Sequence, residues 1–311
     1  MMELIEKSTD PINPCSRVFF GLWLLAGLTI SGFRLADEPA YREQLDTWHR
    51  QRVDALKNET GWLNLAGLFW LKEGVNTIGN DPGNNLAFPD GKSPAQLGTL
   101  RLTDGTVTFE AALGELIRAN GDLLLTVTPI FGGDLKKPVT LSYGPLRWFI
   151  IKRGDRYAVR LRDLESPDLK RFTGIGRFPA DEGFRVKARL EKPASPRTIS
   201  ILDVTGQTSQ QPLVGTLVFE LAGKTQRLDA VGEGEKLFIL FGDATNAHDT
   251  YGSGRFLYAD KPGDDGLTTL DFNRAINPPC AFTSFATCPL PPRQNRLTVA
   301  IRAGEKRYGD H

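Results

Sequence analysis

From Glu38 to about Lys57 the apolar positions fall on one stripe. Tyr41, Leu45, Trp48, Arg52 and Leu56 recur at three- and four-residue spacing with charges between them, which predicts a helix that buries one face. His49 lies beside the stripe and reads as a surface or packing residue. Gly61 then opens Trp62 to Leu71, a run too densely apolar for a one-sided strand. It predicts a buried strand pair, or a strand packed under the helix. After Gly74 the pattern shortens into strand candidates at Val75–Ile78, Gly98–Leu102, Val107–Phe109, Leu123–Val127 and Val139–Ser142. Asp104-Gly105 and Asn120-Gly121 between them are hairpin signals of the primed-turn kind. Leu146 to Arg162 alternates around a Gly154-Asp155 turn, and further strands are expected at Phe184–Leu190, Thr198–Val204, Gly215–Leu221 and Leu237–Phe241.

Turn signals every ten residues or so favour a sandwich or barrel over βαβ units. The expected fold class is mainly β, with an N-terminal helix packed on a β sandwich or barrel. That barrel or sandwich is continuous with a second β-rich, loop-rich half. The organisation reads as a leader at 1–37, a helix-plus-sandwich block at 38–165 and a motif-bearing block at 166–311. The stretch around Arg162 to Pro179 is the best linker or crossover. Composition agrees: Gly 32 and Pro 20 make about a sixth of 311 residues, a level that favours turns over long helices. Lys+Arg 38 against Asp+Glu 37 leaves a net charge of +1, so no bulk field draws the chain to nucleic acid.

The first 37 residues suggest an address. Lys7 and Arg17 precede an apolar run from Val18 to Phe33. As a helix its roughly 16 residues span about 24 Å, short of the roughly 30 Å hydrocarbon core and suited to a signal peptide. Arg34 spoils a small-x-small cleavage site, so an uncleaved short membrane anchor is the alternative. Export to the periplasm or another extracytoplasmic space is the expectation, with the membrane touched only through this leader. Cys280 and Cys288 would then sit in an oxidising compartment. Eight positions apart in a Pro-rich loop, they could close a small disulfide ring. The alternatives are a reactive thiolate at Cys288 and a zinc site that would need two more ligands, with only His248 and nearby carboxylates on offer.

Familiar cofactor signatures are missing, and the sequence leads us to expect no cofactor and no metal. There is no Walker loop, and Gly174-Ile175-Gly176 lacks the third glycine of a dinucleotide fingerprint. Tyr251-Gly252-Ser253-Gly254 lacks the nucleophile-elbow pattern, and adjacent His248 and Asp249 would have to double back on each other to form a triad with Ser253. Thr77-Ile78-Gly79-Asn80 to Leu86-Ala87-Phe88-Pro89-Asp90 resembles the strand-turn-strand opening of forkhead-associated domains. Asn80, however, stands where that family places an arginine, and no Ser-x-x-His follows. The charge partner for a phosphate is therefore missing.

Residues 238 to 308 are different in kind. Asp271, Asn273, Arg274, Asn277, Asn295 and Arg296 crowd into turns braced by proline. Rigid loops of this sort present binding groups, and an arginine fork can clamp a carboxylate or phosphate. The segment Asp243-Ala244-Thr245, Thr250-Tyr251-Gly252-x-Gly254-Arg255, Leu270-Asp271-Phe272-Asn273-Arg274-Ala275, Asn277-Pro278 and Cys280 carries the clearest likeness. Cys288-Pro289-x-Pro291-Pro292 and Asn295-Arg296-Leu297 extend it. With Gly61-Trp62-Leu63, Gly67-Leu68, Trp70-Leu71, Gly74, Arg160-Leu161-Arg162-Asp163, Phe172 and Phe178-Pro179 upstream, the body from residue 38 resembles the domain-of-unknown-function 1684 family of bacteria and archaea. The resemblance supplies no reaction; it implies that the two blocks fold as one unit.

Three function classes follow. In the first, Tyr251, Arg255, Tyr258, Asp271, Asn273 and Arg274 line a C-terminal loop pocket for a small anionic or polyhydroxylated ligand. Arg255 and Arg274 would hold the anion, and Asp243 and Asp271 would orient them. In the second, a hydrolase draws an acid/base pair from Asp243, Asp249 and Asp271, assisted by Tyr251 or Cys288. It needs carboxylates converging within about 5–10 Å on a cleft. In the third, the protein is a structural or interaction module of the cell envelope. Its Asp and Asn side chains would cap turns, with Arg255 and Arg274 as their internal partners.

Overall fold

The computed structural model describes residues 38–309. The leader expectations, including Val18–Phe33 as signal peptide or anchor, lie outside the described residues. Among the described residues no helix is long and apolar enough to cross a membrane.

Helix α1 (Glu38–Lys57) forms where the stripe predicts it. Tyr41, Leu45 and Leu56 are buried and Trp48 and Arg52 half-buried. Beyond its end Asn58 takes over: its Oδ1 accepts from the Thr60 N–H at 3.0 Å, and its carbonyl accepts from the Gly61 N–H at 2.8 Å. Gly61 lies so tightly on the Leu56 carbonyl that any Cβ would collide with it. The following run is a single strand, β1 (Leu65–Trp70), entered through a 3-10 turn at Trp62–Asn64. A strand pair does not form, because Asn64 turns back and donates to the Asn58 carbonyl at 2.5 Å.

Ten further strands complete the N-terminal block: β2 (Gly74–Gly79), β3 (Leu86–Ala87), β4 (Gly98–Thr103), β5 (Thr106–Ala111), β6 (Arg118–Ala119), β7 (Asp122–Leu123), β8 (Thr128–Phe131), β9 (Leu141–Tyr143), β10 (Leu146–Arg153) and β11 (Arg156–Asp163). They make two sheets, ordered β1-β11-β10-β9-β6-β7 and β3-β2-β4-β5-β8, antiparallel except for the β2–β3 pair. Trp148 fills the space between them, edge-on to Phe88 and Phe109 with centroids 5.6 and 6.0 Å away. Asp104-Gly105 and Asn120-Gly121 have positive φ at both positions, which is what a primed turn requires. The expected strand at Leu123–Val127 shrinks to β7, the outermost strand of its sheet, and Leu125 and Val127 stand exposed.

Strand β11 is buried on both sides. Ala158, Val159 and Leu161 are fully buried, and Arg160 and Arg162 are sealed as well. Arg162 donates to the Gly61 carbonyl at 2.5 Å. Burial, with Arg153 and Arg162 close by, pushes the Arg160 pKa down to about 10. After β11 the chain crosses over through helix α2 (Pro167–Arg171), capped by Ser166, whose hydroxyl accepts from the Leu169 N–H at 3.0 Å.

The second block contains β12 (Arg185–Glu191), β13 (Thr198–Leu202), β14 (Thr208–Leu221), β15 (Lys224–Glu233), β16 (Lys236–Phe241), β17 (Arg255–Asp260) and β18 (Leu267–Asp271). Their sheet runs β17-β16-β15-β14-β12-β18, and β13 pairs with the first half of β14. The two end strands lie beside each other, tied by Thr268 Oγ1 donating to the Asp260 carbonyl at 2.8 Å, so the sheet curls into a nearly closed barrel. Along β16, Leu237, Ile239 and Phe241 point into the barrel and are fully buried; Lys236, Phe238 and Leu240 face outward.

Helix α1 spans the joint between the blocks. Leu56 packs with Leu63 of the first block and with Ile175, Ala281 and Phe282 beyond it. Arg177 pairs with Asp46 on the helix. His49 is half-buried beside them, and its Nδ1 has no hydrogen-bond partner. Burial, and then the Arg177 guanidinium, hold its pKa below the ordinary imidazole value. Between that depressed value and about 6.5 the unfolded chain binds more protons than the folded one. Stability should therefore fall as pH drops from about 6.5 into the acid range, and His49→Gln should flatten that fall. Thermal unfolding between pH 7.5 and 5 measures both; parallel profiles in the two proteins would contradict the assignment.

Candidate functional site

Arg255 opens β17 and is wholly buried. Its Nη2 donates to Asp243 Oδ2 at 2.9 Å and to the Ile301 carbonyl at 2.8 Å; its Nη1 donates to the carbonyls of Ala303 and Glu305. Asp243 spends its other oxygen on the Thr245 N–H (2.8 Å), the Thr245 hydroxyl (2.6 Å) and the Ile301 N–H (3.1 Å). Burial lowers the guanidinium's proton affinity, and the Asp243 carboxylate works the other way. Gly304, at φ +77°, lets the tail pass against the Phe272 carbonyl, 2.8 Å from where a Cβ would sit.

The same tail reaches α1. Buried Glu305 accepts from the Asn277 N–H at 2.6 Å and from Arg52 Nε at 3.1 Å. Arg52 also donates to the Asn277 carbonyl at 3.2 Å. Burial raises Glu305 above the usual carboxylate range, against the pull of Arg52. A second knot lies at the start of the helix. Asp271 Oδ1 accepts from the Tyr41 hydroxyl at 2.8 Å and the Asn273 N–H at 3.2 Å. Asn273 ties in the Asp181 backbone, accepting its N–H at 3.0 Å and donating to its carbonyl at 2.8 Å. Burial and the Asp271 hydrogen bond push the Tyr41 phenol up.

These positions differ from the ligand clamp expected from the sequence. Arg255, Asp243, Asp271 and Asn273 face inward and bond to the fold; of the Arg255 nitrogens, Nε alone is buried without a partner. Tyr251 packs with Leu56, Phe282 and Tyr308 in the joint. The three carboxylates weighed for hydrolysis all have cationic or hydroxyl partners. Asp243 is held by Arg255, Asp271 by Tyr41, and Asp249 lies 3.5 Å from Arg302 at the surface.

Tyr258 and Arg274 do share a cavity. It holds about 290 Å³ between α1 and the β16–β17 surface, and Trp48, Gln51, Arg52, Lys236 and Ile276 complete its lining. Arg274 is partly exposed, its guanidinium 5.8 Å from the Trp48 ring centre and its Nε 3.4 Å from Asp271 Oδ2. Lys236 pairs with exposed Asp260 at 3.0 Å. The Tyr258 hydroxyl donates to Glu233 at 3.2 Å, and burial with that carboxylate raises its pKa. Three cations and two aromatic rings therefore line a hollow with no carboxylate among its walls. A larger hollow of about 660 Å³, beside β13 to β15, is different in chemistry. Its Asp229 already accepts from Thr216 at 2.6 Å and Gln294 at 3.1 Å. Trp48, Arg52 and Lys236 were not among the sequence-level candidates. The i, i+4 placement of Trp48 and Arg52 on the helix stripe was the available signal.

A family profile described as "Protein of unknown function (DUF1684)" matches residues 170–306. The chain is also similar to an uncharacterized protein of Haloarcula marismortui known from a solution NMR structure. The two are 32% identical over 47% of this chain and 83% of that one, with a TM-score of 0.40. The chain belongs to the DUF1684 family. Among curated proteins none matches it. In this DUF1684 protein the motif residues Asp243, Arg255, Asp271, Asn273 and Asn277 are braces. Asn295 plays the same part, donating to the carbonyls of Asp229 and Leu240, both at 2.8 Å.

Cys280 and Cys288 are joined as a disulfide, with Cα atoms 6.1 Å apart, and Cys288 is buried. The bond closes a loop whose Thr287 hydroxyl accepts from Arg153 Nε of the first block at 3.1 Å. Among the described residues no group of His, Cys, Asp and Glu has the geometry to hold a metal ion.

Arg255→Met leaves Asp243 buried and unpaired, so it should cost about 3–5 kcal/mol of stability. Arg255→Met with Asp243→Asn should recover part of that loss in denaturant titration; a double variant no more stable than the single would refute a charge-pairing role. Replacing both Cys280 and Cys288 by Ser should cost about 2–3 kcal/mol, the loop-closure value for a ring this size. The same measurement under reductant checks that figure.

Proposed function

We propose that this protein binds a small organic anion in the cavity between α1 and the β16–β17 surface. The observation that carries the reading is the convergence of Arg52, Lys236 and Arg274 on one hollow with no carboxylate in its lining. Each cation has a partner behind it: Glu305, Asp260 and Asp271 respectively. Arg274 and Lys236 are partly exposed and offer donors to a guest, whereas Arg52 is nearly sealed and contributes mainly field. The planar Arg274 fork suits a carboxylate or phosphate. Trp48 and Tyr258 flank the space for whatever carries the charge.

We also read the protein as exported. The apolar run Val18–Phe33 and the Cys280–Cys288 bond support that reading.

Isothermal titration of the full chain with butyrate, benzoate and phenyl phosphate tests the binding proposal. Binding should weaken with added salt. A charge-assisted hydrogen bond contributes roughly 1.5–3 kcal/mol, so Arg274→Ala should weaken it about ten- to hundredfold. If none of the three anions binds, or if Arg274→Ala and Lys236→Ala bind them as the parent does, the proposal fails.

A further inference from the structure

Lys236 has company on the outward face of β16. Alternate residues of a strand share a face, so Lys236, Phe238 and Leu240 form one row, spanning about 13 Å at strand rise. Lys236 lines the cationic cavity; Phe238 and Leu240 line a second hollow of about 280 Å³. Its other walls include Ile201 on β13, Ser209 and Gln211 on β14, Val231 on β15, and Pro289. A pair of stacked rings stands between the two hollows. Phe238 and Tyr258 face each other across β16 and β17 and stack with centroids 5.0 Å apart, 25° from parallel. One ring belongs to each hollow.

The outside of a barrel is ordinarily polar, because water covers it. Here Val231, Leu240 and Phe256 make it apolar, and the β13–β14 hairpin lays Ile199 and Ile201 over them. Packing does not fill the space, and a groove is left under the hairpin. Glu233 lines this second hollow, its carboxylate engaged by the hydroxyl of Tyr258, which lines the first.

We propose that the ligand is an anionic amphiphile. Its charged head lies among Arg52, Lys236 and Arg274, and its unbranched apolar tail runs over Tyr258 and Phe238 into the groove under the β13–β14 hairpin. The proposal rests on the anion-binding reading and adds the class of molecule. A fatty carboxylate and an alkyl phosphate share the chemistry required.

Titrating the full chain with butyrate, octanoate, dodecanoate, dodecyl phosphate and dodecanol, below their aggregation concentrations, separates the possibilities. Octanoate and dodecanoate should bind more than tenfold tighter than butyrate, and dodecanol much more weakly than dodecanoate. Whether dodecanoate or dodecyl phosphate binds tighter identifies the head. Gln211→Trp and, independently, Ser209→Phe place bulk in the groove at exposed positions. Each should abolish the gain with chain length and leave butyrate affinity within twofold, whereas Arg274→Ala should weaken both short and long anions. Equal affinities for butyrate and dodecanoate would overturn the tail assignment and leave the anion site standing. Dodecanol binding as tightly as dodecanoate would overturn the head assignment, and failure of every anion would overturn both.

Discussion

The fold depends on a guanidinium removed from water. An arginine in the interior loses hydration worth several kcal/mol and is tolerated only where acceptors surround it. Arg255 meets the requirement with a carboxylate and the carbonyls of Ile301, Ala303 and Glu305. Those carbonyls belong to a tail with no regular secondary structure, whose backbone would otherwise lack partners in a buried place. One side chain thus gathers three carbonyls of the tail, and backbone bonds to Phe178, Ala275 and Gly176 hold its course as well. The tail then positions Glu305, and Glu305 holds Arg52 at the wall of the cavity.

Much of the architecture was legible because it rests on periodicity and turn chemistry. The α1 stripe and the Asp-Gly and Asn-Gly hairpins are local signals, and the structure follows them; the alternation of β10 and β11 locates the two strands, but β11 buries its polar side too. β15 escaped notice because Thr225, Arg227 and Asp229 on its outward side and Gln226 on its inward row leave a weak apolar alternation. The candidate site was harder to read. Arg, Asp and Asn packed into proline-braced turns look the same whether they wait for a guest or bind each other. Only three-dimensional closure distinguishes the cases. Arg255 and Asp271 proved to be internal, while Tyr258 and Arg274 open on a cavity. The cavity's other walls come from a helix some two hundred residues earlier and from the first residue of β16, so no local motif could assemble them.

A division of labour runs through the C-terminal block. Inward positions of β16 and β17 build the barrel core, the loops after them secure the tail, and outward positions line the two hollows. Lys236, Phe238, Leu240 and Tyr258 all lie on that outer surface. The helix serves both purposes: Leu45 and Leu56 pack inward, while Trp48 and Arg52 face the cavity.

Helix α1 also sets an order of events in time. Its anchors stand far along the chain: Tyr41 bonds a residue 230 positions later, and Arg52 one 253 positions later. During synthesis at roughly 5–20 residues per second, the helix must wait on the order of tens of seconds before its docking partners emerge. Until then much of its apolar stripe lacks a cover and the joint between the blocks is incomplete. Docking of the helix is thereby deferred until the stretch that carries Asp271 and Glu305 has been made.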